Sequence, residues 1–363
     1  MEDYSIYLPN YSIGKDVFAK LPEICLPYGK KILAIGGHHG MAAVKDLLWQ
    51  TVEGTELEIL DFVWYGGEST YENVEKLQEH PLAEEADMFF AIGGGKALDT
   101  VKCLSIKMKK PVFTIPTIAS NCAACTCVSI MYREDGSFLE PFFFQKPPVH
   151  TFIHTGVIAK SPARYMWAGI GDTYAKYFES MVSSRGEDLP HYVAMGVNVS
   201  RMCYEPLLKY GEKALKDQEQ GIASYEFEQA VLAIVVTTGI ASILLTKDHI
   251  IDYNTGLAHA IYYALTSFPH MEEGHLHGEL VGFGVLLLLL CDRDEENFRR
   301  VYEFNHRIGL PTAIEQVEIT EEDLPAVIKQ TICMKDIDHN PYPITEEMLE
   351  KAFETLKKLN ERK

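Results

Sequence analysis

The segment Asp87-Met-Phe-Phe-Ala-Ile92 runs without a break into Gly93-Gly94-Gly95 and then into the amphipathic stretch Lys96–Met108. A short apolar run of this kind is expected as a buried strand, the glycines as a sharp turn, and the stretch beyond them as a helix. Alternation of such strands and helices gives a parallel sheet with helices on both faces. The same alternation surrounds this segment. Lys31–Ile35 is an expected strand, followed by Gly36-Gly37-His38-His39-Gly40 and a helix through Trp49. Glu56–Trp64 and Val112–Ile115 are further expected strands, and Thr70–Glu79 a further helix. Residues 1–160 are therefore expected to form an α/β domain on an open parallel sheet.

The pattern changes at Ser161-Pro162, a helix-start signal. Beyond it come helical patterns at Ala163–Ser183, Val193–Lys213, Ser224–Thr246, Asn254–Thr266, His277–Cys291 and Glu346–Leu359. Residues 161–363 are expected as an all-α second domain, with a cleft between the two. A chain of 363 residues is long enough for two cores.

Composition narrows the function classes. The formal net charge of −19 argues against nucleic acid or an anionic membrane as partner. No stretch reaches the roughly 18 apolar residues of a membrane span; the longest candidate, Val281–Cys291, carries glycines. The N-terminus shows no signal-peptide pattern, and the eight cysteines lack framework spacing. The expected location is the cytoplasm, and the expected partner is a small-molecule substrate, with association into a homo-oligomer left open.

Glycine in succession between a strand and a helix suits close approach of a ligand, and the helix start beyond it carries unpaired N–H groups that suit a pyrophosphate. The spacing is not G-x-G-x-x-G, so a tight turn without a ligand stays open. Candidate metal ligands are Asp172, His259 and His277, two imidazoles and a carboxylate. Each also has an ordinary reading: a solvated or capping aspartate, a core histidine, a polar helix start.

Five segments, taken together, resemble the iron-containing alcohol dehydrogenase and glycerol dehydrogenase superfamily. Gly93-Gly94-Gly95-Lys96-Ala97-Leu98-Asp99 is similar to its GGGK-x-x-D segment, and Pro116-Thr117-Ile118-Ala119-Ser120 to its PTIAS loop. Gly169-Ile170-Gly171-Asp172, Ala258-His259-Ala260 and His277-Gly278-Glu279 resemble its three ligand segments, in the same order. The resemblance implies a dehydroquinate synthase-like architecture, with a Rossmann-like dinucleotide-binding domain and a helical metal-binding domain. It implies NAD or NADP as cofactor and one divalent metal, Zn²⁺ or alternatively Fe²⁺, on Asp172, His259 and His277. It further implies cofactor contacts at Gly37, Gly94, Gly95, Lys96, Asp99, Thr117, Ser120, Thr126, Val128 and Tyr132.

Four departures from glycerol dehydrogenases bear on substrate and cofactor. Cys122 stands where those enzymes carry a polyol-contacting aspartate. Gly37 replaces the strand-end aspartate that receives the adenosine ribose, which removes the repulsion against a 2′-phosphate. Lys176, about 40° from Asp172 around one helix face, occupies the place of a histidine ligand in iron-dependent members. There it suits a negatively charged substrate, or else pairs with Asp172 on the surface. Tyr262 replaces a histidine commonly found three residues beyond the first histidine ligand. Lys176, Tyr262 and Cys122 are thus the candidate catalytic residues. The segments around Cys122, Asp172 and His277 are similar to the hydroxycarboxylate dehydrogenase branch, which implies reduction of a 2-oxo acid to a 2-hydroxy acid. The alternatives are a glycerol (polyol) dehydrogenase and a dehydroquinate-synthase-like lyase. Cys122-x-x-Cys125-x-Cys127 lacks an evident fourth ligand and is taken as small packed side chains.

Overall fold

The strands of the first part of the chain are β1 (Tyr11–Gly14), β2 (Lys31–Gly36), β3 (Glu58–Trp64), β4 (Met88–Gly93), β5 (Val112–Pro116), β6 (Val128–Tyr132), β7 (Phe138–Phe143) and β8 (His150–His154). The computed structural model describes residues 3–361. β4 and β5 are buried along their whole length and β2 along nearly all of it, as expected of strands covered on both faces. They lie in one parallel sheet of order β1-β8-β5-β4-β2-β3. The helices that follow β2, β3 and β4 are α1 (His38–Val52), α2 (Tyr71–Gln78) and α3 (Gly95–Met108). Phe90, Phe113 and Phe152 are fully buried on adjacent strands at the centre of this core.

Four strands lie outside the periodic pattern: β1, its sheet partner β8, and the antiparallel pair β6–β7. The β6–β7 turn is closed by Gly136 at φ 84° and by Asp135, whose carboxylate accepts the Ser137 N–H at 2.9 Å. β1 is four residues long and pairs with β8, about 140 positions further on.

Two compact units result. One is the chain up to Pro162 together with Asp217–Ser224; the other is Ala163–Lys216 together with the chain from Tyr225 onward. Within the first, Gln218 ties the returning segment down by donating from Nε2 to the Ile158 and Ser161 carbonyls at 3.1 and 3.3 Å. The second unit is helical. Its middle is α4 (Ala163–Ser183), α5 (Leu257–Leu265) and α6 (His277–Cys291). α6 is apolar all round and buried along nearly its length, as a central helix must be.

Two expectations change here. The run Val193–Lys213 is not one helix but two, His191–Ser200 and Glu205–Glu219, joined by a tight turn. Pro206 supplies the reason: it has no N–H for the carbonyl of Met202 and its ring crowds that turn. The longest apolar stretch is not Val281–Cys291 but the continuous helical run Tyr225–Leu245, which by length and hydropathy alone could cross a membrane. Of its most apolar 18-residue window 72% is buried, as in a core helix. The run widens into a π-helical segment at Leu232–Thr237, where the Thr238 hydroxyl donates to the Ala233 carbonyl at 2.9 Å.

Candidate functional site

The sheet order places β3 on one side of β2 and β4 on the other, so the chain reverses direction of travel between β2 and β4. Ligands of open α/β sheets sit outside the carboxyl ends of the strands at such a switch point. Both strands end there in glycine. Gly93 adopts φ 141°, a conformation that favours glycine, and turns the chain into α3. Gly94 is the residue before α3, and Gly95 is its first. Gly37 holds the equivalent place before α1. A Cβ on Gly40 would come within 3.0 Å of the Gly93 Cα and 3.1 Å of Thr117 Oγ1, so the two turns touch backbone to backbone. Two helix N-termini therefore lie close together at the strand ends, which suits a dinucleotide's phosphates.

The other expected cofactor residues fall around that surface in two ways. Thr117 is buried and donates its main-chain N–H to the Gly93 carbonyl at 3.1 Å, while Ser120 is half-buried just beyond it. The Lys96 ammonium pairs with Glu68 and lies 5.4 Å from the ring centre of Tyr132. Asp99, by contrast, turns inward. It pairs with Lys102 at 2.8 Å and accepts the Ile130 N–H at 3.2 Å. Burial pushes its carboxyl up, against the pull of Lys102. Lys102 is fully buried and also donates to the Ala123 carbonyl (2.7 Å), Thr126 Oγ1 (3.0 Å) and the Val128 carbonyl (2.6 Å). Thr126 and Val128 are thus fixed by an ammonium that periodicity treats as one more polar position of an amphipathic helix.

In the second unit the three candidate ligands come from three different helices and converge. His277 Nε2 is 3.2 Å and His259 Nε2 3.7 Å from the same Asp172 oxygen, Oδ1. One ligand atom from each of the three lies within 4.8 Å of the others. Tetrahedral coordination at about 2.0–2.1 Å puts ligand atoms roughly 3.3 Å apart, so the donor set fits a divalent ion with one open position. The helices reach this proximity because small residues flank each ligand. A Cβ at Gly171 would run into the Gly278 carbonyl oxygen, and one at Gly278 into the Ala168 carbonyl oxygen. The α4–α6 crossing is therefore backbone on backbone.

A fourth residue completes the arrangement. Glu179, two turns beyond Asp172 on α4 and fully buried, receives His259 Nδ1 at 2.7 Å on one oxygen. Its other oxygen accepts the Gly256 and His259 N–H groups, both at 2.9 Å. Protonation of Nδ1 toward Glu179 leaves Nε2 to face Asp172, the carboxylate–histidine pattern that supports a metal ligand. Burial by itself pushes the His259 imidazole down, but the Glu179 and Asp172 carboxylates outweigh it and hold it up to about 10. The Asp172 carboxyl, which burial would raise, is held well below the usual range by the two imidazoles. Positive charge is favoured here, and a metal ion is one way to supply it.

Known proteins resemble this chain in sequence and in fold. The profile described as iron-containing alcohol dehydrogenase matches residues 9–147. Glycerol dehydrogenase of Thermotoga maritima is 34% identical over 294 residues, 77% of each chain. The chain belongs to the iron-containing alcohol dehydrogenase family. Hydroxycarboxylate dehydrogenase A of Escherichia coli is 28% identical over 80% of each chain. The crystal structure of a probable glycerol dehydrogenase from Sinorhizobium meliloti 1021 superposes with a TM-score of 0.81, 26% identity and 99% coverage of both chains. The protein is thus an oxidoreductase of the alcohol dehydrogenase type.

Among the candidate catalytic residues of this family member, Lys176 is buried on the face of α4 that carries Asp172 and Glu179. Its ammonium donates to the main-chain oxygen of Asn254 and, at 2.8 Å, to the Asn254 side-chain oxygen. Tyr262 lies against His277, ring centres 4.3 Å apart and nearly perpendicular. Cys122 is half-buried in the loop after β5 and belongs to no disulfide. Burial pushes the neighbouring Cys125 thiol up to about 11 and Cys127 up to about 12, and Cys125 contacts Thr151. Glu179, Lys102 and Asn254 were missed by sequence reasoning. For Glu179 a clue was present: positions 172, 176 and 179 share one helix face.

Proposed function

We propose that the protein is a metal-dependent, NAD(P)-linked dehydrogenase of small polyols and alcohols, with glycerol the first substrate to test. The observation that carries the proposal is the Asp172–His259–His277 cluster backed by the buried Glu179 carboxylate. A divalent ion held there, zinc or iron, supplies Lewis-acid polarisation of the substrate oxygen, and a nicotinamide dinucleotide bound to the first unit supplies the hydride chemistry. Asp172, His259 and His277 hold the ion; Glu179 keeps the proton of His259 on Nδ1. The Gly37 and Gly93–Gly95 turns receive phosphate on main-chain N–H groups. Tyr262 limits the orientations open to His277.

Two points favour a neutral polyol over the 2-oxo acid first expected. The Thermotoga maritima relative is a glycerol dehydrogenase, and the Lys176 ammonium, the anticipated partner of a substrate carboxylate, is engaged by Asn254. The 2-hydroxy-acid reading keeps one observation of its own, Cys122 in place of the polyol-contacting aspartate, together with the Escherichia coli relative. A spectrophotometric screen decides between them: glycerol and other diols with NAD and NADP, 2-oxo acids with NADH and NADPH, each with Zn²⁺ or Fe²⁺ added. Oxidation of vicinal diols at a kcat/KM at least about tenfold above the value for any 2-oxo acid is the expected result. Reversal of that order assigns the acid substrate. Product formation without net change in NADH would instead indicate lyase chemistry.

A further inference from the structure

α4 carries more than one metal ligand's worth of the second unit's site. From a single face it presents Asp172, then Lys176, then Glu179, and the last two both act on the segment that leads into α5. Glu179 gathers the Gly256 and His259 N–H groups and the His259 ring. Lys176 gathers the two oxygens of Asn254, two residues earlier. The Ile251 carbonyl accepts the Asn254 and Thr255 N–H groups at 2.7 and 3.2 Å, and Gly256, at φ −165° and ψ −144°, stands extended immediately before α5. The main-chain N–H groups at a helix start have no intrahelical acceptors. Glu179 provides an acceptor for two such groups, and Lys176 anchors the residue from which the turn departs. The acceptors of the Lys176 ammonium are neutral oxygens of the chain itself, and the side chain is 7% exposed, so its bonds are directed at the protein.

We infer that Lys176 and Glu179 are positioning residues that lock the Asn254–His259 segment onto α4 and so set the place of His259 relative to Asp172. The inference rests on the metal-site reading above but predicts behaviour of the metal-free chain as well. Because one helix carries both a ligand and the two anchors of another ligand, the Asp172–His259 separation is fixed before any ion arrives. A preorganised pair binds an ion more tightly than one that must be ordered on binding. Lys176 then contributes to metal affinity through Asn254 and makes no contact with substrate.

The test uses the full-length protein, stripped with a chelator, in four forms: wild type, Glu179→Gln, Lys176→Met and Lys176→Arg. Amide hydrogen exchange of residues 254–259 is followed without metal. Zn²⁺ affinity is measured by competition with a chromophoric chelator, and the Co²⁺-loaded forms are compared by visible absorption. Glu179→Gln is expected to raise the Zn²⁺ Kd about 10–100-fold, the range for supporting partners of metal-bound histidine. Lys176→Met is expected to raise it about three- to tenfold, with part of the loss recovered in Lys176→Arg. Both losses should come with faster exchange at Gly256 and His259 and an altered Co²⁺ spectrum. Wild-type exchange rates in Lys176→Met and Glu179→Gln overturn the inference, whatever the enzyme does. Wild-type Zn²⁺ affinity in Lys176→Met, with a selective loss of turnover on a 2-oxo acid, overturns it for Lys176 and returns that residue to the substrate. If wild type takes up neither Zn²⁺ nor Co²⁺, the proposed function fails, while the exchange data still decide whether the anchors exist. Should Lys176→Met fail to fold, Lys176→Arg and Glu179→Gln carry the same comparison.

Discussion

The two candidate sites are built from different parts of the chain. In the first unit the working groups are main-chain N–H groups at the starts of α1 and α3, shaped by glycines that lie next to one another in sequence. In the second, every working group is a side chain, and the three ligands are separated by 87 and 18 positions along the chain. A backbone site depends on what is left out, since a side chain at Gly94 or Gly95 intrudes on its neighbours. A side-chain site depends on what is brought together, and on the helix crossings that bring it. The first should tolerate loss of metal, and the second loss of nucleotide.

That contrast can be broken most decisively at His259. His259→Ala, or exhaustive chelation of wild type, should lower turnover by about a thousandfold or more, consistent with removal of several kcal/mol of Lewis-acid stabilisation. NADH binding, followed by its fluorescence, should remain within about twofold. Loss of both together would mean that the units are not independent in this respect.

A second test acts on the crossing that assembles the ligands. Gly278→Ala places a methyl against the Ala168 carbonyl, which is backbone and cannot swing aside. Destabilisation by about 1–3 kcal/mol is expected from overpacking, read as a lower Tm, with weaker Zn²⁺ binding alongside it. An unchanged Tm would show that the α4–α6 contact can open without cost.

The counterpart in the first unit is milder. In Gly94→Ala the new methyl meets Ile118 Cδ1 at 2.7 Å, the far end of a flexible side chain. Stability should change by less than about 1 kcal/mol, while the Kd for dinucleotide rises about tenfold because the methyl narrows the approach to the N–H groups. Metal content should not move. Smallest is Gly37→Asp, at a half-buried turn position whose Cβ meets nothing closer than Tyr65 at 3.6 Å. Its expected effect is confined to a shift of about tenfold toward NADH in the NADPH/NADH ratio of kcat/KM, and an unshifted ratio would remove Gly37 from cofactor discrimination.

The same contrast explains what could be read in advance. β2 beyond Lys31 and β4 are apolar without interruption because both faces are covered, and their glycine turns follow directly, so this part of the first unit's frame is written in contiguous letters. β1, β8 and the β6–β7 pair are not. Tyr11–Gly14 becomes a strand only by pairing with His150–His154, and Pro141 in β7 argues against a strand until its place in a two-stranded pair is known. Asp172, His259 and His277 were found through their flanking glycine and alanine residues, which the α4–α6 and α5–α6 contacts require. Glu179 was not, because a glutamate in a helix reads as solvated until the partner 80 positions away is in view. For Lys176 the sequence offers a substrate carboxylate or a surface pair with Asp172; it is buried instead, and the acceptor it has, Asn254, lies in a turn with no period to announce it.

Lys102 has a consequence for how this family member can change over time. One ammonium serves Asp99, the Ala123 carbonyl, Thr126 and the Val128 carbonyl. The loop from Asn121 to Val128 therefore inherits its shape from a residue on α3 and not from its own letters. Replacement at position 102 alone strands several polar groups at once, and replacement at 99 alone leaves the buried cation without its counter-ion. Drift in this patch has to be concerted, with an apolar residue at 102 arriving together with an uncharged one at 99. Cys122, half-buried where its neighbours Ala123 and Ala124 are buried, has more room for single steps. A lineage can thus change position 122 while the scaffold beneath it stays locked, and if Cys122 faces substrate, as the family resemblance implies, diversification of substrate should appear there first.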